Sequence, residues 1–153
     1  MSLLRKLLLL LVFMFAINWN TNAQMGVTGY SVYALGINTS QKKMISAELK
    51  TFANRSITNL LMEADVFYNF HPKKYHRFSV GVGLNAGPFR DFDPFNAFTL
   101  PVQLEIHPLQ KFRKLSLMLE LAPELYIETD DVRLRTLWGI RYTFDKREKQ
   151  GEN

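Results

Sequence analysis

The chain has 153 residues, a formal charge of +5, 47% hydrophobic and 13% aromatic residues, and no cysteine. The missing thiols exclude disulfides, thiolate metal sites and a lipid-modified N-terminal cysteine. The basic residues are scattered over turns, strands and the C-terminal tail, so the positive charge does not point to nucleic acid.

The N-terminus reads as an export signal. Arg5 and Lys6 precede an apolar stretch over 7–17, and Thr21-Asn22-Ala23 supplies a small-residue cleavage site before Gln24. Its apolar core of about 11 residues is short of the roughly 18 to 20 needed to cross a bilayer, so residues 1–23 are expected to be a cleaved signal peptide. The remaining chain has room for one domain, 24–144, followed by a charged tail, 145–153.

Along that domain apolar and polar residues alternate in segment after segment. Residues 27–37 are rich in Tyr, Val and Gly and are expected to form one strand, although they assign cleanly to neither face. In 45–53, Ile45, Ala47 and Leu49 oppose Ser46, Glu48 and Lys50, with Phe52 off pattern. In 58–70, Met62, Ala64, Val66, Tyr68 and Phe70 oppose Glu63, Asp65 and Asn69, with Leu61 and Phe67 as exceptions. Phe78, Val80, Val82 and Leu84 then oppose Ser79, Gly81, Gly83 and Asn85, a split that helical spacing cannot produce.

Residues 96–107 set Phe98, Leu100, Val102, Leu104 and Ile106 against Thr99, Pro101, Gln103, Glu105 and His107. In 114–127, Leu115, Leu117, Leu119, Leu121 and Leu125 oppose Lys114, Ser116, Glu120 and Glu124. Last, Val132, Leu134, Thr136, Trp138, Ile140, Tyr142 and Phe144 oppose Arg133, Arg135, Gly139, Arg141 and Thr143. The separators are short and mostly carry turn chemistry, as in Asn38-Thr39-Ser40, His71-Pro72-Lys73-Lys74 and Thr129-Asp130-Asp131, which suits a meander of antiparallel hairpins.

Successive strand side chains point to opposite faces, so each strand has one oily and one ionic side. The ionic side holds Glu48, Lys50, Glu63, Asp65, Glu105, Lys114, Glu120, Glu124, Arg133, Arg135 and Arg141. Sealed in the core of a soluble sandwich, each unpaired ion would cost several kcal/mol. Aromatic residues gather near strand ends, as at Tyr68, Phe70, Tyr75 and Phe78, in the manner of interfacial girdles. The expectation is an all-β, antiparallel up-and-down transmembrane β-barrel of about eight strands, oily side outward, with its inward ions paired as a side-chain plug. Only seven segments are countable, so the strand number is left open at seven or eight.

The segment Trp138-Gly139-Ile140-Arg141-Tyr142-Thr143-Phe144 resembles the closing strand of small bacterial outer-membrane β-barrel proteins, and Glu120-Leu121-Ala122-Pro123 and Leu100-Pro101-Val102-Gln103-Leu104-Glu105 are similar to segments of that family's uncharacterised short members. The resemblance implies an outer-membrane location, outer-membrane lipid as surroundings, and the barrel-assembly machinery as a partner that reads the closing strand during insertion. It also places Phe144 at the periplasmic rim, although here the tail 145–153 follows it.

No catalytic, cofactor-binding or metal site is expected. His71 and His76 flank a Pro-Lys-Lys turn without a third metal ligand. His107 shares a face with Glu105, and Ser116 or Ser79 could complete a nucleophile–base–carboxylate arrangement of the outer-membrane lipid hydrolase type; a hydrogen-bonded rim histidine is the simpler reading. Gly81, Gly83 and Gly87 alternate along a strand and form no phosphate loop; close backbone approach inside a barrel accounts for them. The expected role is non-enzymatic and structural, for envelope stability or surface interaction, in a monomer. A lipid-modifying outer-membrane enzyme and a soluble periplasmic small-ligand-binding barrel are the alternatives.

Overall fold

The computed structural model of the chain describes residues 25–39, 43–53, 60–70, 75–89, 94–109, 112 and 114–144. The expected signal peptide, the charged tail and His71 lie outside them. Nine antiparallel strand segments follow in order: Met25–Tyr30 (β1), Ala34–Asn38 (β2), Ile45–Phe52 (β3), Leu61–Phe70 (β4), His76–Ala86 (β5), Phe95–Thr99 (β6), Val102–Ile106 (β7), Leu115–Tyr126 (β8) and Val132–Phe144 (β9). Chain neighbours pair throughout except β6 and β7, and β1 pairs with β9, from Met25 opposite Phe144 to Tyr30 opposite Gly139, so the sheet closes on itself.

β6 and β7 occupy one place in the wall, because both run between β5 and β8. The break falls at Leu100 and Pro101, where proline has no N–H to give to a ladder. Carbonyls bridge it: Gly81 N–H donates to Pro101 O at 2.8 Å and Leu100 N–H donates to Pro123 O at 3.0 Å. The barrel therefore has eight strand positions in up-and-down order.

The eighth position resolves the open count and corrects the reading of 27–37 as a single strand. Those residues form a hairpin, β1–β2, turning at Ser31-Val32-Tyr33 with Tyr33 in the left-handed region at φ 49°. Tyr30 lies directly opposite Ala34, so the inward face keeps its parity through the turn, from Thr28 and Tyr30 to Ala34 and Gly36. Alternation cannot reveal a reversal that preserves it, and Ser-Val-Tyr carries no Gly, Pro, Asn or Asp to mark the turn.

The ends of the barrel differ in height. β1 and β2 have 6 and 5 residues, whereas β8 and β9 have 12 and 13. Both described chain ends, Met25 and Phe144, lie at one rim, the terminal rim; the Ser31–Tyr33 turn and residues 127–131 lie at the opposite, loop rim.

Inside, large side chains are accommodated opposite glycine. Phe67, an exception to the oily side of β4, turns inward and is buried over Gly81, where an added methyl carbon would stand 2.7 Å from its ring. Tyr30, Ala34, Met118 and Leu137 form a small buried apolar cluster, with Phe52 packed on it.

Candidate functional site

The inward face is a connected set of ions running from rim to rim. At its centre Lys50 Nζ lies 2.9 Å from Glu63, 2.9 Å from Asp65 and 2.7 Å from Glu120, all four side chains fully enclosed. The register explains the convergence: Lys50 stands opposite Glu63 on β4, and Glu120 reaches in from β8 on the far side of the barrel. The ammonium also sits 5.8 Å from the Phe67 ring centroid and 5.9 Å from that of Tyr30.

Toward the loop rim Arg135 continues the set. Its guanidinium contacts Glu63 at 2.6 Å, Glu124 at 2.6 Å and Glu120 at 3.2 Å, and lies 4.9 Å from the Phe52 ring centroid. Toward the terminal rim Gln103 links the halves by donating to Glu120 at 2.7 Å and to Glu48 at 2.9 Å. Glu48 also accepts from Tyr30 Oη at 2.7 Å and pairs with Arg141 at 3.0 Å, while Arg141 Nε donates to Thr28 at 2.7 Å. Arg141 lies 3.6 Å from Glu105, which pairs with Arg77 and accepts from Ser116.

Hydrogen bonds to charged partners are the strong ones, and in a low-dielectric interior each carboxylate left without a cation would be costly. Here the described inward carboxylates are contacted by cations: Glu48 by Arg141, Glu63 by Lys50 and Arg135, Asp65 and Glu120 by Lys50, Glu105 by Arg77 and Arg141, and Glu124 by Arg135. The side chains of Lys50, Glu63 and Arg141 have no accessible surface. The interior is a plug of paired side chains, as expected for a barrel this narrow.

Two members of the expected inward set stand apart. Lys114 belongs to the turn before β8, and Arg133 lies at the loop rim, exposed, 3.5 Å from Asp131 and 4.9 Å from the Tyr126 ring centroid. In their place the structure recruits Arg77, Gln103 and Tyr30. Arg77 shares the polar parity of Ser79 and Gly81, so alternation alone could have placed it inward; Gln103 also lies on a legible polar face, but a neutral amide gives no ionic signal. Tyr30 was hidden by the unread hairpin.

The catalytic candidates are not assembled as a triad. Ser116 Oγ donates to Glu105 Oε1, the same oxygen that lies 3.7 Å from His107 Nε2, so the carboxylate separates hydroxyl from imidazole. Ser79 donates to Asn69 at 2.6 Å, and His76 is exposed at the terminal rim. Among the described residues no group of His, Asp or Glu is arranged to hold a metal ion.

The outer face is the opposite of the inner one. The outward positions of the described strands hold no Asp, Glu, Lys or Arg, and apolar side chains stand exposed around the wall, from Val27 and Leu49 through Val66, Val82 and Leu100 to Leu121 and Ile140. Near the terminal rim the aromatics touch: Tyr68 meets Phe70 edge-on at 5.0 Å, Phe70 meets Phe78 at 5.8 Å, and Tyr142 meets Phe144 edge-on at 5.1 Å. Phe89, Phe95 and Phe98 are exposed toward the loop rim.

Compared with protein-family models, curated proteins and solved structures, the chain matches none.

Proposed function

We propose that this protein is an integral β-barrel of a bacterial outer membrane, with a structural, envelope-stability or surface-interaction role and no catalytic chemistry of its own. One observation carries the reading: in the described strands an exposed apolar wall without a single charged outward position surrounds an interior of paired ions. Soluble monomers rarely expose contiguous apolar patches beyond a few hundred Å². A closed sheet is one of the two architectures that satisfy every backbone group in lipid, and strands β4, β5, β8 and β9, of 10 to 13 residues, reach or exceed the roughly 9 to 11 a tilted spanning strand needs.

In this reading acyl chains cover the wall, the aromatic clusters lie at the interfaces, and the plug leaves no water-filled channel, so the protein acts as a monomeric wall element and not as a pore. The closing strand β9 supports insertion by the barrel-assembly machinery, in keeping with its resemblance to such strands. That resemblance also supports a periplasmic terminal rim.

Fractionation with gel analysis tests the proposal. The expected result is an outer-membrane protein that migrates as a compact species unheated and as an extended one after boiling. A freely soluble periplasmic protein would overturn it.

A further inference from the structure

Among the described residues the uneven wall leaves one strand edge unpaired. β1 ends at Tyr30, opposite Gly139, and beyond it Ser31 N–H donates to Trp138 O at 2.8 Å while Trp138 N–H points back to Ser31 Oγ at 3.4 Å. Above that level the chain turns away into β2, whereas β9 continues for six more residues, from Leu137 to Val132, paired among the described residues with β8 alone. At roughly 3.3 Å per residue this edge is about 20 Å long.

Its hydrogen-bonding groups can be assigned by alternation. Thr143 N–H donates to Lys114 O and Asp131 O accepts from Tyr126 N–H, so odd-numbered residues of this segment face β8. Trp138 faces β1, and Val132, Leu134 and Thr136 therefore direct their N–H and C=O groups into the notch, where no described residue meets them. An open edge of this kind is a template for another strand.

We propose that the edge at 132–136 is a docking site for an extended segment of a partner protein that alternates apolar and acidic residues. Backbone pairing supplies the attachment and side chains set the choice. Outward Val132 and Leu134, 65% and 68% exposed, offer apolar neighbours to alternate partner residues. Between them, on the inward side, the Arg133 guanidinium stands exposed, 3.5 Å from Asp131, whereas the Arg135 guanidinium is taken up by Glu63, Glu120 and Glu124. A partner Asp or Glu opposite Arg133 completes a cross-strand ion pair. A second copy of this chain pairing antiparallel through the same edge would be inverted, which two copies inserted the same way in a membrane cannot satisfy.

The test uses the full chain and a fluorescent, end-blocked seven-residue peptide alternating valine and aspartate, with a same-composition scrambled peptide as control, read by anisotropy. Saturable binding of the alternating peptide, at least tenfold weaker for the scrambled one, is expected. Thr136→Pro, which removes a notch-facing N–H and none of the β8 ladder, and Arg133→Glu, a surface change that leaves the backbone intact, should each weaken binding at least tenfold. Arg133→Glu decides the matter if the proline variant does not fold. Equal binding of both peptides, binding unaffected by Arg133→Glu, or no binding overturns the proposal. So does an edge-dependent dimer in light scattering, or binding that appears only after 54–59 is replaced by a Gly-Ser linker, since the occupant is then a second copy or the chain's own connection.

Discussion

Arg141 and Glu48, 93 residues apart in sequence, meet at 3.0 Å inside the barrel with side chains 0% and 1% exposed. Arg141 belongs to the last strand and Glu48 to the third, so the pair crosses the short β1–β2 hairpin from within. Sheet closure brings the charges together, and their pairing in turn ties the closing strand to the N-terminal half. Replacing both by Ala and Gln, singly and together, should therefore give a coupling of about 0.5 to 3 kcal/mol in a double-mutant cycle of urea unfolding in lipid vesicles. Additive effects would show the two residues to be independent.

Lys50 is the more severe deletion. Lys50→Met leaves Glu63, Asp65 and Glu120 around an uncharged side chain, and removing one partner from a buried ion set costs roughly 3 to 5 kcal/mol. The urea midpoint should fall accordingly. Lys50→Met combined with Glu120→Gln should recover part of the loss, and an unchanged midpoint for the single variant would contradict the pairing described here.

A charge on the outer wall separates lipid from water as its surroundings. Leu121 points outward at mid-height of the tallest wall, opposite Thr136. Leu121→Arg should destabilise a bilayer-inserted barrel by about 2 to 4 kcal/mol. In a protein whose wall faces water the same change would stay within about 0.5 kcal/mol.

Gly81 serves Phe67. A Cβ at this position would stand 2.7 Å from the ring and 2.8 Å from the Val66 carbonyl oxygen, so Gly81→Ala should cost about 1 to 3 kcal/mol through overpacking. Phe67→Leu in the Gly81→Ala background should restore part of this, because the ring is one of the two obstacles and the backbone carbonyl the other.

For the chemistry of the terminal rim, the Glu105 carboxylate between Ser116 and His107 predicts that the protein releases no fatty acid from phospholipid vesicles above the lipid-only rate. Sustained release that disappears in His107→Ala would reverse the non-enzymatic reading.

The side of the wall to which each residue belongs was written in the chain. Alternation in β3, β4, β5, β8 and β9 assigned Glu48, Lys50, Glu63, Glu120 and Arg141 to one face, because strand geometry points neighbouring side chains in opposite directions whatever the sheet does next. Phe52 and Phe67 looked like irregularities because hydropathy alone cannot distinguish a ring facing lipid from one packed over Gly81 or against Arg135. Only the closed sheet decided which ions meet: Lys50 finds Glu120 across the barrel, at a sequence separation of 70, through registers that no local pattern encodes. The same holds for the β1–β2 hairpin, whose three-residue turn preserves parity, and for the edge of β9 that no described residue pairs beyond that short hairpin. Facing is a property of one strand and is carried by its own residues; partnership belongs to two strands and is settled when the wall closes.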